Sequence, residues 1–121
     1  MAQILIAEDD QDILELLEIT LNYGGHSVVA VSDGEELLEK LNTVSPDLIL
    51  MDVKMPVMSG IDACLRLKAN PATKNIPIVF LSAKGQEAEI KAGLDAGADA
   101  YLLKPFDPPD LIRNISIFLE K

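Results

Sequence analysis

Apolar residues along this chain follow two rhythms. Short continuous runs recur at Ile4–Ala7, Val28–Val31, Leu48–Met51, Ile78–Leu81 and Ala100–Leu103. Each is four residues long and several are rich in Val and Ile, which suits a strand buried on both faces. Between the runs the apolar positions shift to helical spacing. Ile13, Leu17 and Leu21 share one face, then Leu37, Leu38 and Leu41, then Ile61, Cys64 and Leu65. A fourth stretch, Glu87 to Ala96, is small and weakly apolar and predicts the least stable helix. A fifth places Leu111, Ile115, Phe118 and Leu119 on one side.

Turn residues fall where these helices must stop or start. Gly24-Gly25 closes the first, Asn70-Pro71 the third, and Gly97 follows the fourth. Pro108-Pro109 opens the fifth, where the first turn tolerates proline. The order is therefore β-α five times, with no repeat, low-complexity tract or linker. Parallel strands joined by helices of this length predict an α/β doubly wound sheet with helices on both faces. In such sheets ligands sit beyond the carboxyl ends of the strands, near the point where strand order reverses.

Totals narrow the picture. The 121 residues suffice for one domain spanning 1–121 and are too few for two. With 49% apolar and 25% charged residues the chain reads as globular. The net charge of −10 repels phosphate backbones, so no nucleic-acid partner is expected for this chain. The one cysteine, Cys64, allows no internal disulfide and fits a reducing compartment. No apolar run spans a membrane and no signal peptide is visible, which predicts a cytoplasmic domain.

The residues just after each run carry the chemistry. Glu8, Asp9 and Asp10 follow the first, Asp52 the third, Ser82 the fourth and Lys104-Pro105 the fifth. Ser32-Asp33-Gly34 after the second reads as a helix cap, and so does Asp10. Two carboxylates about 5 Å apart repel by roughly 3 kcal/mol at an effective dielectric of about 20. Acids crowded from two strands must therefore take up a proton or a cation. Carboxylates and carbonyls are hard ligands that suit Mg²⁺. No His or Cys cluster suggests zinc, and His26, beside Gly24-Gly25, reads as a solvated loop residue. A cation, a carboxylate, a hydroxyl and a lysine make a phosphoryl site, in which an Asp carboxylate can attack phosphorus.

These residues resemble the receiver domain of bacterial two-component response regulators. The resemblance covers essentially the whole chain. It rests on "IAEDD", "LILMDVKMPVMSG", "IVFLSA" and "YLLKPF", in that order and spacing. It implies a flavodoxin-like three-layer sandwich: a five-stranded parallel sheet of order 2-1-3-4-5 with five helices. It implies Asp52 as phosphoacceptor, with Glu8 and Asp9 as the acidic pair for Mg²⁺ and the Lys54 backbone carbonyl as a further metal ligand. It implies Ser82 as the hydroxyl that turns toward the phosphoryl group, Lys104 as its lysine partner, and Tyr101 as the aromatic that changes rotamer. A cis Lys104–Pro105 bond also belongs to the pattern. Glu8 stands where many members have Asp, which can admit a water between carboxylate and metal. Ser82 replaces the commoner Thr and keeps the hydroxyl.

The function implied is phosphoryl transfer to Asp52 from the phosphohistidine of a sensor histidine kinase or a phosphotransfer protein. The signal would leave through the fourth helix, fifth strand and fifth helix, to a downstream partner or a second copy. The chain would be a signalling domain that catalyses only its own phosphorylation and dephosphorylation. Nothing after Lys121 would supply an output, so either a single-domain regulator or a piece of a larger one fits.

Other readings of the same residues fit less well. An Asp-nucleophile phosphatase resembles Asp-x-Asp after its first strand, but Val53 and Lys54 follow Asp52. A flavin module needs a hydroxyl- and glycine-rich phosphate loop where Glu8-Asp9-Asp10 stand. A receiver that only binds partners would lack the acceptor, the acid pair or the lysine. In the bland alternative Glu8 and Asp9 are solvated helix-start acids, Asp52 a turn residue, Ser82 a cap, Lys104 a surface charge and Tyr101 core. Cys64, Met51, Met55 and Met58 read as packing, and Pro56 and Gly60 as shaping the loop beside the pocket.

Overall fold

Five parallel strands and five helices alternate along the chain in the computed structural model, which describes residues 2–83, 86–104 and 106–119. The strands are β1 (Gln3–Ala7), β2 (Ser27–Val31), β3 (Leu48–Asp52), β4 (Ile78–Ala83) and β5 (Ala100–Lys104). The helices are α1 (Gln11–Tyr23), α2 (Gly34–Lys40), α3 (Gly60–Ala69), α4 (Glu87–Asp95) and α5 (Pro108–Leu119). The sheet order is β2-β1-β3-β4-β5, as the resemblance implies. The Lys104–Pro105 bond expected to be cis involves Pro105, which lies outside the described residues.

Given that order, crossover handedness sets the face each helix occupies. A right-handed β-α-β unit places its helix on a face set by the direction of the step. From β1 the chain steps one way to β2, and from there it steps back past β1 to β3, β4 and β5. Helix α1 therefore lies on one face and α2, α3 and α4 on the other. Ile4, Ile6, Leu48, Leu50, Val79 and Leu81 pack with Leu14, Leu17 and Leu21 of α1 and Leu111 and Ile115 of α5. Leu5, Ala7, Ile49, Met51 and Phe80 face Leu37 of α2 and Ala63, Cys64 and Leu67 of α3. The period of two along each strand feeds both cores.

Burial on both faces holds for β1, β3 and β4 and not for the edges. In β5, Tyr101 and Leu103 are exposed while Ala100, Leu102 and Lys104 are half-buried; β2 is mostly half-buried. An edge strand has one neighbour, and helices cover less of it. Leu65 is exposed on α3, which turns Ala63, Cys64 and Leu67 inward instead. His26 lies in the loop between α1 and β2, as expected, but is less solvated than expected. It is half-buried, and its Nδ1 accepts a hydrogen bond from the Ala2 amide at 3.3 Å.

Most helix ends match their sequence signals. Asp10 caps α1 by accepting from the amides of Asp12 and Ile13 at 3.0 and 3.3 Å. Asp33 caps α2 and Ser59 caps α3. Gly25 and Gly97 take positive φ after α1 and α4. Helix α4 is the exception. Its N-cap, Gln86, makes no side-chain cap bond, and Gly93 is its only buried residue. Gly93 lies against Phe80, where a Cβ would come within 2.7 and 2.8 Å of two ring atoms.

Gly93→Ala tests that contact. Alanine favours the helix by about 1 kcal/mol, but overpacking costs about 1–3 kcal/mol. The Phe80 ring is also hemmed in by Gly60, where a Cβ would sit 2.9 Å away, so it has little room to yield. The expected outcome is a net loss of up to about 2 kcal/mol, read as a lower urea midpoint at unchanged m-value.

Candidate functional site

Register brings the strand ends together. Ala7 pairs with Met51, so Glu8 stands level with Asp52 across the β1–β3 boundary, where the chain order reverses. Asp52 pairs with Leu81, which sets Ser82 one step beyond, and Ala83 pairs with Lys104. One carboxylate oxygen each from Glu8, Asp9 and Asp52 lies within 4.8 Å of the others. Asp9 is exposed, whereas Glu8 is fully buried and Asp52 nearly so. The crowding expected of the acids thus falls on Glu8 and Asp52.

Lys104 answers that charge. Its Nζ lies 3.0 Å from Glu8 Oε1 and 3.1 Å from Asp52 Oδ2. At an effective dielectric of about 20 each contact is worth roughly 5 kcal/mol of attraction before desolvation, against a repulsion between the acids of roughly 3. The ammonium donates a hydrogen bond to Asp52. Toward Glu8 Oε1 the contact is ionic without hydrogen-bond geometry, and that buried oxygen has no hydrogen-bond partner among the described residues. Glu8 Oε2 accepts from the Asp10 amide at 3.1 Å. Burial pushes the Glu8 carboxyl up to about 7; the nearby Lys104 and the Asp10 amide oppose the rise, and the charge of Asp52 adds to it. Burial pulls Lys104 down, but contact with Glu8 and the Asp52 carboxylate outweighs it, and the net direction is up.

The loop after β3 is held close. The Gly60 amide donates to the Val53 carbonyl at 2.8 Å, and a Cβ on Gly60 would sit 2.3 Å from the Asp52 carbonyl oxygen. Only glycine fits there. Val57 has φ of 69°, and the Met58 amide donates to the Pro56 carbonyl across it at 2.7 Å. Such a three-residue turn with positive φ is strained for a β-branched residue.

Ser82 and Tyr101 lie apart from the acid cluster's own contacts. Ser82 is buried, and its hydroxyl donates to Glu89 Oε1 at 3.4 Å. Tyr101 is 41% exposed, which removes the reading of it as core. Glu89 itself escaped sequence reasoning. Its Oε2 also pairs with Lys54 Nζ at 3.0 Å. Nothing about an acid in the first turn of a helix distinguishes it from the many placed there by the helix dipole.

A parallel sheet of this order, with acids and one lysine at its carboxyl edge, places the chain in the flavodoxin-like class. The model of the response regulator receiver domain family matches residues 4–116, and the chain belongs to that family. The chain is 38% identical over 119 residues to the alkaline phosphatase synthesis transcriptional regulatory protein PhoP of Bacillus subtilis, covering 98% of this chain and 49% of that one. It spans about half the length of the curated relatives it matches. A response regulator from Chloroflexus aurantiacus superposes with a TM-score of 0.96 at 36% identity, over 99% of this chain and 98% of the other. The receiver domain of a sensor histidine kinase from Pseudomonas aeruginosa superposes with a TM-score of 0.92 at 29% identity, over 99% and 98%; it carries a magnesium ion coordinated in its active-site cleft. Among the described residues of the present chain, no helix is long and apolar enough to cross a membrane.

Relief of backbone strain at Val57, worth about 1–3 kcal/mol, exceeds the entropic cost of glycine, about 0.5–1 kcal/mol. Val57→Gly should therefore raise the melting temperature by about 2–5 °C in a thermal scan.

Burial of Glu8 makes stability depend on pH. Below its unfolded value of 4.5, Glu8 is protonated in both states. Between there and about 7 the folded protein holds the proton that the unfolded chain has released. Stability from this group is therefore lost as pH rises through the window, by roughly 3 kcal/mol in all. Urea titrations in EDTA at pH 5 and pH 8 should show a drop that Glu8→Gln makes smaller by about that amount.

Proposed function

We propose that this receiver domain is switched by phosphorylation of Asp52. The observation that carries the reading is the Lys104 ammonium, poised 3.1 Å from Asp52 and 3.0 Å from the buried Glu8 at the carboxyl edge of the sheet. A structural lysine has no need of two acids at the point where strand order reverses.

The donor set fits a hard divalent cation. Three carboxylates converge, one buried oxygen of Glu8 has only the ionic contact with Lys104 and no hydrogen bond among the described residues, and burial pushes that carboxyl toward neutrality. Glu8, Asp9 and Asp52 would hold Mg²⁺, with the Lys54 backbone carbonyl as a further donor. When bound, the cation would offset charge on the phosphoryl oxygens.

The chain's own residues do the rest. An Asp52 carboxylate oxygen attacks the phosphorus of a phosphohistidine on a sensor histidine kinase or phosphotransfer protein. The P–N bond breaks, its electron pair stays on the imidazole nitrogen, which takes up a proton, and an acyl phosphate remains on Asp52. Lys104 faces the phosphoryl oxygens with its charge, and the Ser82 hydroxyl turns to donate to one of them. Tyr101, Leu103 and the weakly anchored α4 form the face, with α5, through which a downstream partner or a second copy reads the state. Residues 1–121 act as one such domain in the cytoplasm. Its net charge of −10 argues against nucleic acid as a direct partner.

Intact mass after incubation with acetyl phosphate and Mg²⁺ tests the assignment. The wild type should gain one phosphoryl mass and Asp52→Asn none. Full labelling of the variant would show that another residue is the acceptor.

A further inference from the structure

Helix α4 reaches the site through one side chain. The Glu89 carboxylate accepts the Ser82 hydroxyl at 3.4 Å through Oε1 and pairs with Lys54 at 3.0 Å through Oε2. It thereby joins the first turn of α4 to the end of β4 and to the residue two beyond Asp52. Among the described residues, little else fixes that turn. Gln86 provides no side-chain cap, and the helix's only buried residue, Gly93, lies a full turn further on. The Glu89 side chain is itself only 18% exposed, so its contact with Ser82 is partly shielded from water.

A hydroxyl has one proton to donate. While Ser82 donates to Glu89, it cannot donate to a group on Asp52. We propose that Glu89 is a latch: a positioning residue that holds Ser82 and the start of α4 in the unphosphorylated arrangement and sets how readily the domain leaves it. The inference rests on the reading of Asp52 as phosphoacceptor and adds a residue which that reading does not require. Phosphorylation and the Glu89 contact compete for one proton. Release of Ser82 frees α4 from β4 at the same moment, which links the chemistry to the helix without a longer relay. The Lys54 pair contributes less, because Lys54 is 74% exposed and water screens it.

Removing the latch should favour the phosphorylated arrangement. Titration of beryllofluoride at saturating Mg²⁺, followed by amide NMR shifts, reads that preference directly. A long hydrogen bond to a carboxylate corresponds to about a threefold to tenfold change. Glu89→Ala should tighten beryllofluoride binding by that factor. Glu89→Gln keeps an acceptor for Ser82 and should tighten it less. In a Ser82→Ala background, Glu89→Ala should change affinity by less than about twofold. In metal-free protein, Glu89→Ala should also speed hydrogen exchange at the Ile90 amide, which donates to Gln86 at the start of α4.

Each other outcome counts against the latch. Equal tightening by Ala and Gln, or tightening that persists without the Ser82 hydroxyl, would mean that Glu89 acts only through its charge. Unchanged or weaker binding in Glu89→Ala, with a normal wild-type response, overturns the latch alone. A wild type that does not respond, or Asp52→Asn responding equally, overturns the Asp52 reading and the latch with it.

Discussion

Two carboxylates and one ammonium share a space from which water is largely excluded, and much of the domain is arranged around that constraint. Glu8 is fully buried and Asp52 nearly so. Neither acid would be placed there for stability, because burying a charge costs several kcal/mol and a pair seldom repays it. Lys104 offsets the cost only in part, since one positive charge faces two negative ones. Burial, with a smaller push from the Asp52 charge, keeps Glu8 close to its protonated form. The site's tension is what the sheet and its loops are built to hold.

The sheet can hold it because its centre is rigid. Strands β1, β3 and β4 are covered on both sides, and the acids and Ser82 leave from their ends. Gly60 presses the loop after β3 against the Asp52 carbonyl, and Val57 takes a strained φ in the same loop. Strain of this kind survives only where neighbours over-determine the backbone. Rigidity decreases across the sheet toward β5 and α4. There Tyr101 and Leu103 are exposed, and Gly93 seats the helix on the Phe80 ring without a side chain of its own. A small event at a stiff centre can then move a loosely held edge. A coupling of about 1–3 kcal/mol suffices to change partner affinity several-fold.

Phe80 links the two regimes. Its ring touches the positions of both Gly60, beside Asp52, and Gly93, on α4. The polar counterpart is Glu89, which meets Ser82 on one side and Lys54 on the other. One route is packing and the other is a shared proton. The first meets α4 in its second half, at Gly93, and the second in its first turn, which has no side-chain cap.

The alternation of apolar runs and helical spacing was enough to place ten elements, because burial on a period of two or 3.6 leaves a local mark on the sequence. The caps at Asp10 and Asp33 and the turn at Gly24-Gly25 were legible for the same reason: each acts on backbone groups within a few residues. Glu8, Asp9, Asp52, Ser82 and Lys104 could be singled out because strand ends in a parallel sheet share one edge. Their resemblance to known receivers added the strand order. What the sequence could not decide was anything set by contact between distant segments. Edge strands look like central ones until their neighbours are counted, and Leu65 looks inward until α3 is rotated against the sheet. His26 looks solvated until the chain's beginning folds over it. The burial that raises Glu8 above Asp9 is a property of the assembled core, and so is the meeting of Glu89 with Ser82 and Lys54. No spacing rule encodes a hydrogen bond between the end of a strand and the side of the next helix, since its geometry depends on how far that helix settles onto Phe80.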